Sequence, residues 1–109
     1  MSGGKLWTQV DRFGNEIYLT AERWAHIIDP NNHPELAPYF EHVRETIRRG
    51  RRKQDVFDPR SWEYSHSFPD LPLDYTHLVV AVRFRWRTDP EGFEHEEKFV
   101  KTAFFQTRY

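Results

Sequence analysis

The stretch THLVVAVRFRWRTDPEGFEHEEKFVKTAFFQ, residues 76–106, swings between apolar and polar residues with a period of two on either side of one turn. Leu78, Val80, Val82, Phe84 and Trp86 fall on one face of an extended strand, and His77, Val79, Ala81, Arg83 and Arg85 on the other. Asp89-Pro90-Glu91-Gly92 supplies the turn, and a last strand over 96–106 brings the chain back. A four-residue loop pairs Thr88 with Phe93, and therefore Arg85 with Glu96, Arg87 with Glu94, Val82 with Phe99 and Val79 with Thr102. On this register Thr102 shares a face with His77, Arg83 and Arg85, away from the apolar stripe. Arg83 faces Lys98 and is the one arginine of this strand expected to lack an acidic partner.

Upstream, Trp62 to Phe68 (WEYSHSF) reads as another strand and Val56-Phe57 as a short one, divided by Asp58-Pro59 and closed by Pro69-Asp70-Leu71-Pro72. Before Gly50 the period becomes helical. Leu36, Phe40, Val43 and Ile47 share one face, Glu41, Arg44, Glu45 and Arg48 the other, and Gly50 ends the run. Either Pro38 takes the first position of a helix over 38–49 preceded by a turn at 33–37, the favoured reading, or His33-Pro34-Glu35 opens the helix and Pro38 leaves a missing hydrogen bond in its opening turns. An earlier helix starts at Thr20, a capping residue, with Leu19 and Trp24 spaced as a hydrophobic staple and Trp24, Ile27 and Ile28 on its apolar face. Pro30 disfavours helical geometry at Asp29 and stops it. Residues 15–20 read as a short strand or extended lead-in. The expected architecture is α+β: two N-terminal helices followed by about four mostly antiparallel strands in a twisted sheet, with the helices on one face. Residues 1–9 are expected to be a flexible leader and 10–109 a single domain.

The 109 residues suit one core, and with aromatics at 17% of the chain, Phe, Tyr and Trp must fill much of it. The absence of cysteine excludes disulfides, thiolate zinc sites and thiol nucleophiles. No apolar run has the length of a signal-peptide core or a membrane span, and a cytoplasmic protein is expected. The formal net charge is -1, but it is unevenly spread: 48–53 holds Arg48, Arg49, Arg51, Arg52 and Lys53, whereas 91–98 is mostly acidic.

Two histidines stand out. His26 sits off the apolar stripe of the first helix, at its rim, between Arg23 and Asp29; His33 precedes Pro34-Glu35 at the start of the next helical segment. The ordinary roles are a rim residue and a turn residue. Together they also offer two groups with an unperturbed pKa of about 6.5, suited to sharing acid and base roles near neutral pH. The six-residue gap between them is not a usual zinc spacing, so no metal is expected. Arg51, Arg52 and Lys53 are candidate phosphate contacts, although cations after a helix also favour its dipole without any ligand. Arg23 and Arg83 join them as candidate substrate contacts. Tyr64 and His66 share a strand face, where an exposed ring can stack on a base. Gly-rich phosphate loops and nucleophile elbows are absent.

LTAERWAHIIDPNNHPEL, a helix ending in ETIRRG, then WEYSHSF, THLVVAV and VKTAFF together resemble a family of small prokaryotic and phage-associated domains grouped with the barnase, EndoU, colicin and RelE-like (BECR) nuclease fold. The resemblance runs over 10–106. It is most specific at Trp24, His26 and Ile27, at His33-Pro34-Glu35, and at Thr102-Ala103-Phe104. It implies a metal-independent endoribonuclease that needs no cofactor, uses internal 2′-hydroxyl attack on RNA, and is often a toxin paired with an antitoxin or immunity protein. By position it implies His26 and His33 as the acid/base pair, Thr102 as a phosphate-orienting group, and the Tyr64 to His66 strand as a cleft wall. Where relatives tend to carry a basic residue after the tyrosine, this chain has Ser65 and His66. A non-catalytic protein- or RNA-binding module on the same fold is the competing expectation. Because Thr102 is expected on the sheet face away from the helices, the three groups can meet only at an edge or end of the sheet.

Overall fold

The structure, a computed structural model, describes residues 4–109. Its first departure from expectation is at the start, where β1 (Lys5–Val10) and β2 (Glu16–Thr20) form an antiparallel hairpin ahead of both helices. Of the leader expected over 1–9, residues 5–9 are therefore strand; residues 1–3 lie outside the described residues. The alternation is short but real: Trp7, Ile17 and Leu19 are buried at strand positions that share one face. Asp11 builds the turn between the strands, its Oδ1 accepting the amides of Phe13 and Asn15 at 2.8 Å each, and Gly14 closes it at φ 84°.

Next come α1 (Ala21–Ile27), a 3₁₀ segment (Pro34–Tyr39), α2 (Phe40–Arg49), β3 (Arg51–Gln54), β4 (Ser61–Ser67), β5 (His77–Thr88) and β6 (Glu94–Gln106). The α+β class holds, but the expected two helices followed by about four strands is corrected to six strands in one mixed sheet, ordered β1-β2-β6-β5-β4-β3. β2 and β6 run parallel, bridged at Tyr18 and Phe99, and the other pairs are antiparallel. α2 starts later than residue 38 because Pro38 lies within the 3₁₀ turn. Val56 and Phe57 are not a strand; they stand in an exposed loop, and the neighbouring strand is instead the basic run itself, paired with β4 from Arg51 opposite Ser65 to Gln54 opposite Trp62.

The β5–β6 register also shifts. Asp89 accepts the amides of Glu91 and Phe93 through Oδ1, and its own amide donates to the Phe93 carbonyl at 2.9 Å, so the loop has five residues and Thr88 pairs with Glu94. Arg85 thus faces Glu97 rather than Glu96, and Arg87 faces His95. A bulge then falls between Ala81 and Val82, beyond which Ala81 pairs with Thr102 and Val79 with Phe104. It lets Val100 and Ala103, three residues apart, both turn inward, which strict alternation forbids. The two single-residue offsets cancel in parity, and Thr102 ends on the face expected for it.

Both helices pack on the other face, where Ile27, Leu36, Val43 and Ile47 meet Ile17, Leu19, Leu78, Val80, Val82, Val100, Ala103 and Tyr64. The sheet curls around this core. Asp11, at the tip of the first hairpin, accepts a hydrogen bond from the Tyr64 hydroxyl of β4 although β6 and β5 separate β2 from β4. Arg52 reinforces the closure, its guanidinium carbon 4.1 Å from the ring centres of both Phe13 and Trp62. Gly50 makes the α2-to-β3 turn possible: a Cβ there would lie 2.3 Å from the Thr46 carbonyl oxygen and 2.8 Å from that of Ser65.

Tyr64 is fully buried and Asp11 is 6% exposed, so their bond is made away from water. Burial pushes the Asp11 carboxyl up, but hydrogen bonds from Tyr64, the Asn15 side chain and the Asn15 and Phe13 amides outweigh it and hold its pKa below the ordinary carboxylate value. A depressed folded-state pKa stabilises the fold above the unfolded value of 3.8, and that contribution is lost as pH falls through the lower folded value. Tyr64→Phe should therefore cost about 1–3 kcal/mol in urea unfolding at neutral pH. The cost should shrink in acid as Asp11 protonates; a pH-independent penalty would contradict this account. Gly50→Ala should destabilise by about 1–3 kcal/mol or more, measured in the same way, because the clash is with backbone that cannot swing aside.

Candidate functional site

α1 is fixed at both ends by local bonds. Thr20 Oγ1 accepts the Arg23 amide at 3.1 Å, which starts the helix and directs Glu22, Arg23 and His26 to one side of it. After Ile27 the chain doubles back on itself. Asn32 Nδ2 donates to the His26 carbonyl at 2.8 Å and the His33 amide to the Ile27 carbonyl at 2.9 Å, so His33 is pinned beside the end of α1. Its Nδ1 lies 3.3 Å from Glu35 Oε1.

β6 has a parallel partner only at Phe99, and its later residues have no strand on that side. α1 and the segment after it occupy this edge. His26 shares a recess of about 490 Å³ with Arg23, Tyr18, Arg85, Phe99 and Val100. The His33 ring lies 6.5 Å from that of Phe104. Thr102 falls on β6 between these two neighbourhoods, partly accessible on the face that the helices leave uncovered. The edge of the sheet thus brings the three residues along one stretch of strand, with no hydrogen bond joining any two of them.

The recess is electrostatically mixed, with Glu22 on its wall beside Arg23 and Arg85, and Arg85 is held from outside it by Glu97. Arg85 Nη2 is 3.1 Å from Glu97 Oε2, Arg87 Nη1 3.3 Å from Glu97 Oε1, and the Tyr18 hydroxyl donates to Glu97 at 3.4 Å. Burial raises the Glu97 carboxyl, but the two guanidiniums pull it net below its ordinary pKa. Burial, followed by Glu97, raises Tyr18. Arg85 also lies over the Phe99 ring at 4.7 Å. Arg23 has no such carboxylate partner among the described residues.

Other candidates are placed differently. Tyr64 is inaccessible and occupied by Asp11, so it cannot stack on a ligand. His66 is half-buried, its ring edge-on to Phe68 at 4.9 Å, and it borders a second recess at the far end of the sheet. Arg52 is engaged by Phe13 and Trp62. Arg83, expected to lack an acidic partner, has one: its Nη1 is 2.7 Å from Asp58 Oδ2, a residue on the β3–β4 loop that strand pairing does not reveal. The Ser61 hydroxyl, the Arg60 amide and then Arg83 keep Asp58 below its ordinary pKa. Arg51 and Lys53 remain exposed on the uncovered face.

Sequence spacing missed Arg85 as a lining residue, because the shifted register and the α1 turn are needed to bring it beside His26. Arg108 was missed because it folds back after the last strand, where no periodicity marks it. Among the described residues no three His, Asp or Glu side chains are grouped to hold a metal ion, and no helix is long and apolar enough to cross a membrane. Compared with protein-family models, curated proteins and solved structures, the chain matches none of them.

Proposed function

We propose that the protein is a metal-independent endoribonuclease with His26 and His33 as its acid/base pair and Thr102 as a supporting group. The observation that carries the reading is the placement of His26 and His33 on either side of Thr102 along the half-unpaired edge of β6. In this mechanism the ribose 2′-hydroxyl attacks its neighbouring phosphorus as a base takes its proton. The 5′-oxygen leaves with a proton from the acid, and the products are a 2′,3′-cyclic phosphate and a free 5′-hydroxyl. His33 suits the base: Glu35 beside Nδ1 favours a proton there, leaving Nε2 as an acceptor. His26 is then the acid. Thr102 donates its hydroxyl to a phosphate oxygen, and Arg23, which has no carboxylate partner among the described residues, offsets charge that builds up in the transition state.

A toxin-like role, opposed by an antitoxin or immunity protein, extends the same proposal on the strength of the family resemblance. Arg51 and Lys53 guide RNA toward the sheet by counterion release. Their exposure and open position also favour the competing reading, a binding module that has no catalytic step.

Purified protein incubated with single-stranded and structured RNA in EDTA should yield 2′,3′-cyclic phosphate ends. His26→Ala and His33→Ala should each slow cleavage by about 10²–10⁴-fold with thermal unfolding unchanged, and Thr102→Val by about 10²-fold. RNA binding that survives all three substitutions, without cleavage by the parent protein, would replace the enzyme with the binding module.

A further inference from the structure

The end of the sheet remote from His26 holds a second recess, of about 410 Å³, lined by Arg12, Arg49, Arg51, Arg108 and His77 around Ser65. No carboxylate lines it. The four arginines come from four separate places, the first hairpin turn, the end of α2, the edge strand β3 and the segment after β6, and His77 from the start of β5. Among the described residues only Arg49 of these is ion-paired, through Nε to Glu45 Oε1 at 2.7 Å. Arg108 is held firmly, but by neutral groups. Its Nη1 donates to Ser65 Oγ at 3.1 Å, its Nε to Gln106 Oε1, and its amide to Thr76 Oγ1 at 2.8 Å.

The arginines of β5 are treated differently. Arg83 has Asp58, and Arg85 and Arg87 share Glu97. The remote recess instead concentrates like charge and, Arg49 apart, leaves it without a carboxylate partner among the described residues. His77 feels that field: burial first, then Arg108 and His66, lower its pKa. A single phosphodiester brings one negative charge, too little to balance the three guanidiniums of Arg12, Arg51 and Arg108, whereas a terminal or condensed phosphate brings about two or more and matches the fork geometry of arginine.

We propose that this recess binds a doubly charged phosphate group, carried either by the end of a nucleic acid chain or by a small phosphorylated molecule, with Arg12, Arg51 and Arg108 as its principal ligands. The site is separate from the His26 recess: eight residue steps along β5 take the chain from Arg85 back to His77, roughly 27 Å at about 3.4 Å per residue. It does not rest on the ribonuclease reading.

Calorimetric titration of the full chain with pyrophosphate, at ionic strength held constant with chloride, should show saturable binding of one ligand per chain. A paired titration uses oligodeoxynucleotides bearing a 5′-phosphate or a 5′-hydroxyl, which 2′-hydroxyl chemistry cannot cleave. Arg51→Gln combined with Arg108→Gln should weaken pyrophosphate binding at least about tenfold. Arg12→Gln, on an exposed turn where folding is not at stake, should weaken it severalfold, and Arg87→Gln should leave it unchanged. Preference for the phosphorylated oligonucleotide identifies a chain end as the ligand; binding of pyrophosphate without that preference identifies a small molecule, and either supports the site. No saturable pyrophosphate binding together with no 5′-phosphate preference would overturn it, as would equal binding by all variants. His26→Ala should bind pyrophosphate as the parent does, so loss of the cleavage reading leaves this result standing.

Discussion

Tyr64 reaches from the floor of the sheet to a carboxylate on the tip of the opposite hairpin, and the curvature of the whole molecule follows from that reach. Asp11 serves two masters at once, tying the β1–β2 turn through the amides of Phe13 and Asn15 and accepting the Tyr64 hydroxyl with its other oxygen. A buried carboxylate is expensive unless its lone pairs are filled. Here they are filled by groups that belong to two distant parts of the sheet, so the anion is tolerated only when those parts meet. Arg52, on the strand next to Tyr64, lies against Phe13 of the same turn and Trp62 of β4. The curl encloses α2, whose Val43 and Ile47 are fully buried.

That curl divides the sheet into a filled inner face and an outer face whose chemistry is set by how its arginines are compensated. Toward the hairpin end, Glu97 and Asp58 absorb three guanidiniums, and the aromatic rings of Phe99 and Tyr18 lie among them. Toward the end where β4 stops and β5 begins, compensation is nearly absent. A net charge of -1 conceals this polarity entirely. Long-range steering depends on such local fields rather than on the total, so a polyanion meets this molecule as a surface with a direction.

Much of the fold was legible because long alternation is hard to misread. The helix cap at Thr20, the helical face through Val43 and Ile47, the terminator Gly50 and the two long strands all appear where periodicity puts them. Of the first hairpin, the strand over 16–20 reads as extended but its partner β1 is lost, because six residues with one buried aromatic, Trp7, carry little alternation and a Gly-containing start resembles a leader. The exposed pair Val56-Phe57 shows the opposite failure: β-prone residues in a loop whose neighbours, Arg51 to Gln54, form the strand through backbone pairing rather than through apolar character. Register depended on one loop residue and one bulge, neither of which has a periodic signature. For the site, helix geometry located His26 and capping logic located His33, but their relation to Thr102 arises from the edge of β6, a property of strand order. The partner of Arg83 and the position of Arg108 come from loops, where sequence distance says nothing about spatial distance.

The stretch of β6 beyond Phe99 has a ladder on one side and none on the other. Bare backbone of this kind is a template for pairing with another chain. α1 and the returning segment to His33 lie along it, the same residues that present both histidines. A lesion that loosens α1 therefore does more than disperse a candidate site: it uncovers an adhesive strand flanked by Phe104 and Phe105. The order of the candidate site and the cover over this strand thus depend on one short helix, so a variant that loosens α1 is also one prone to self-association.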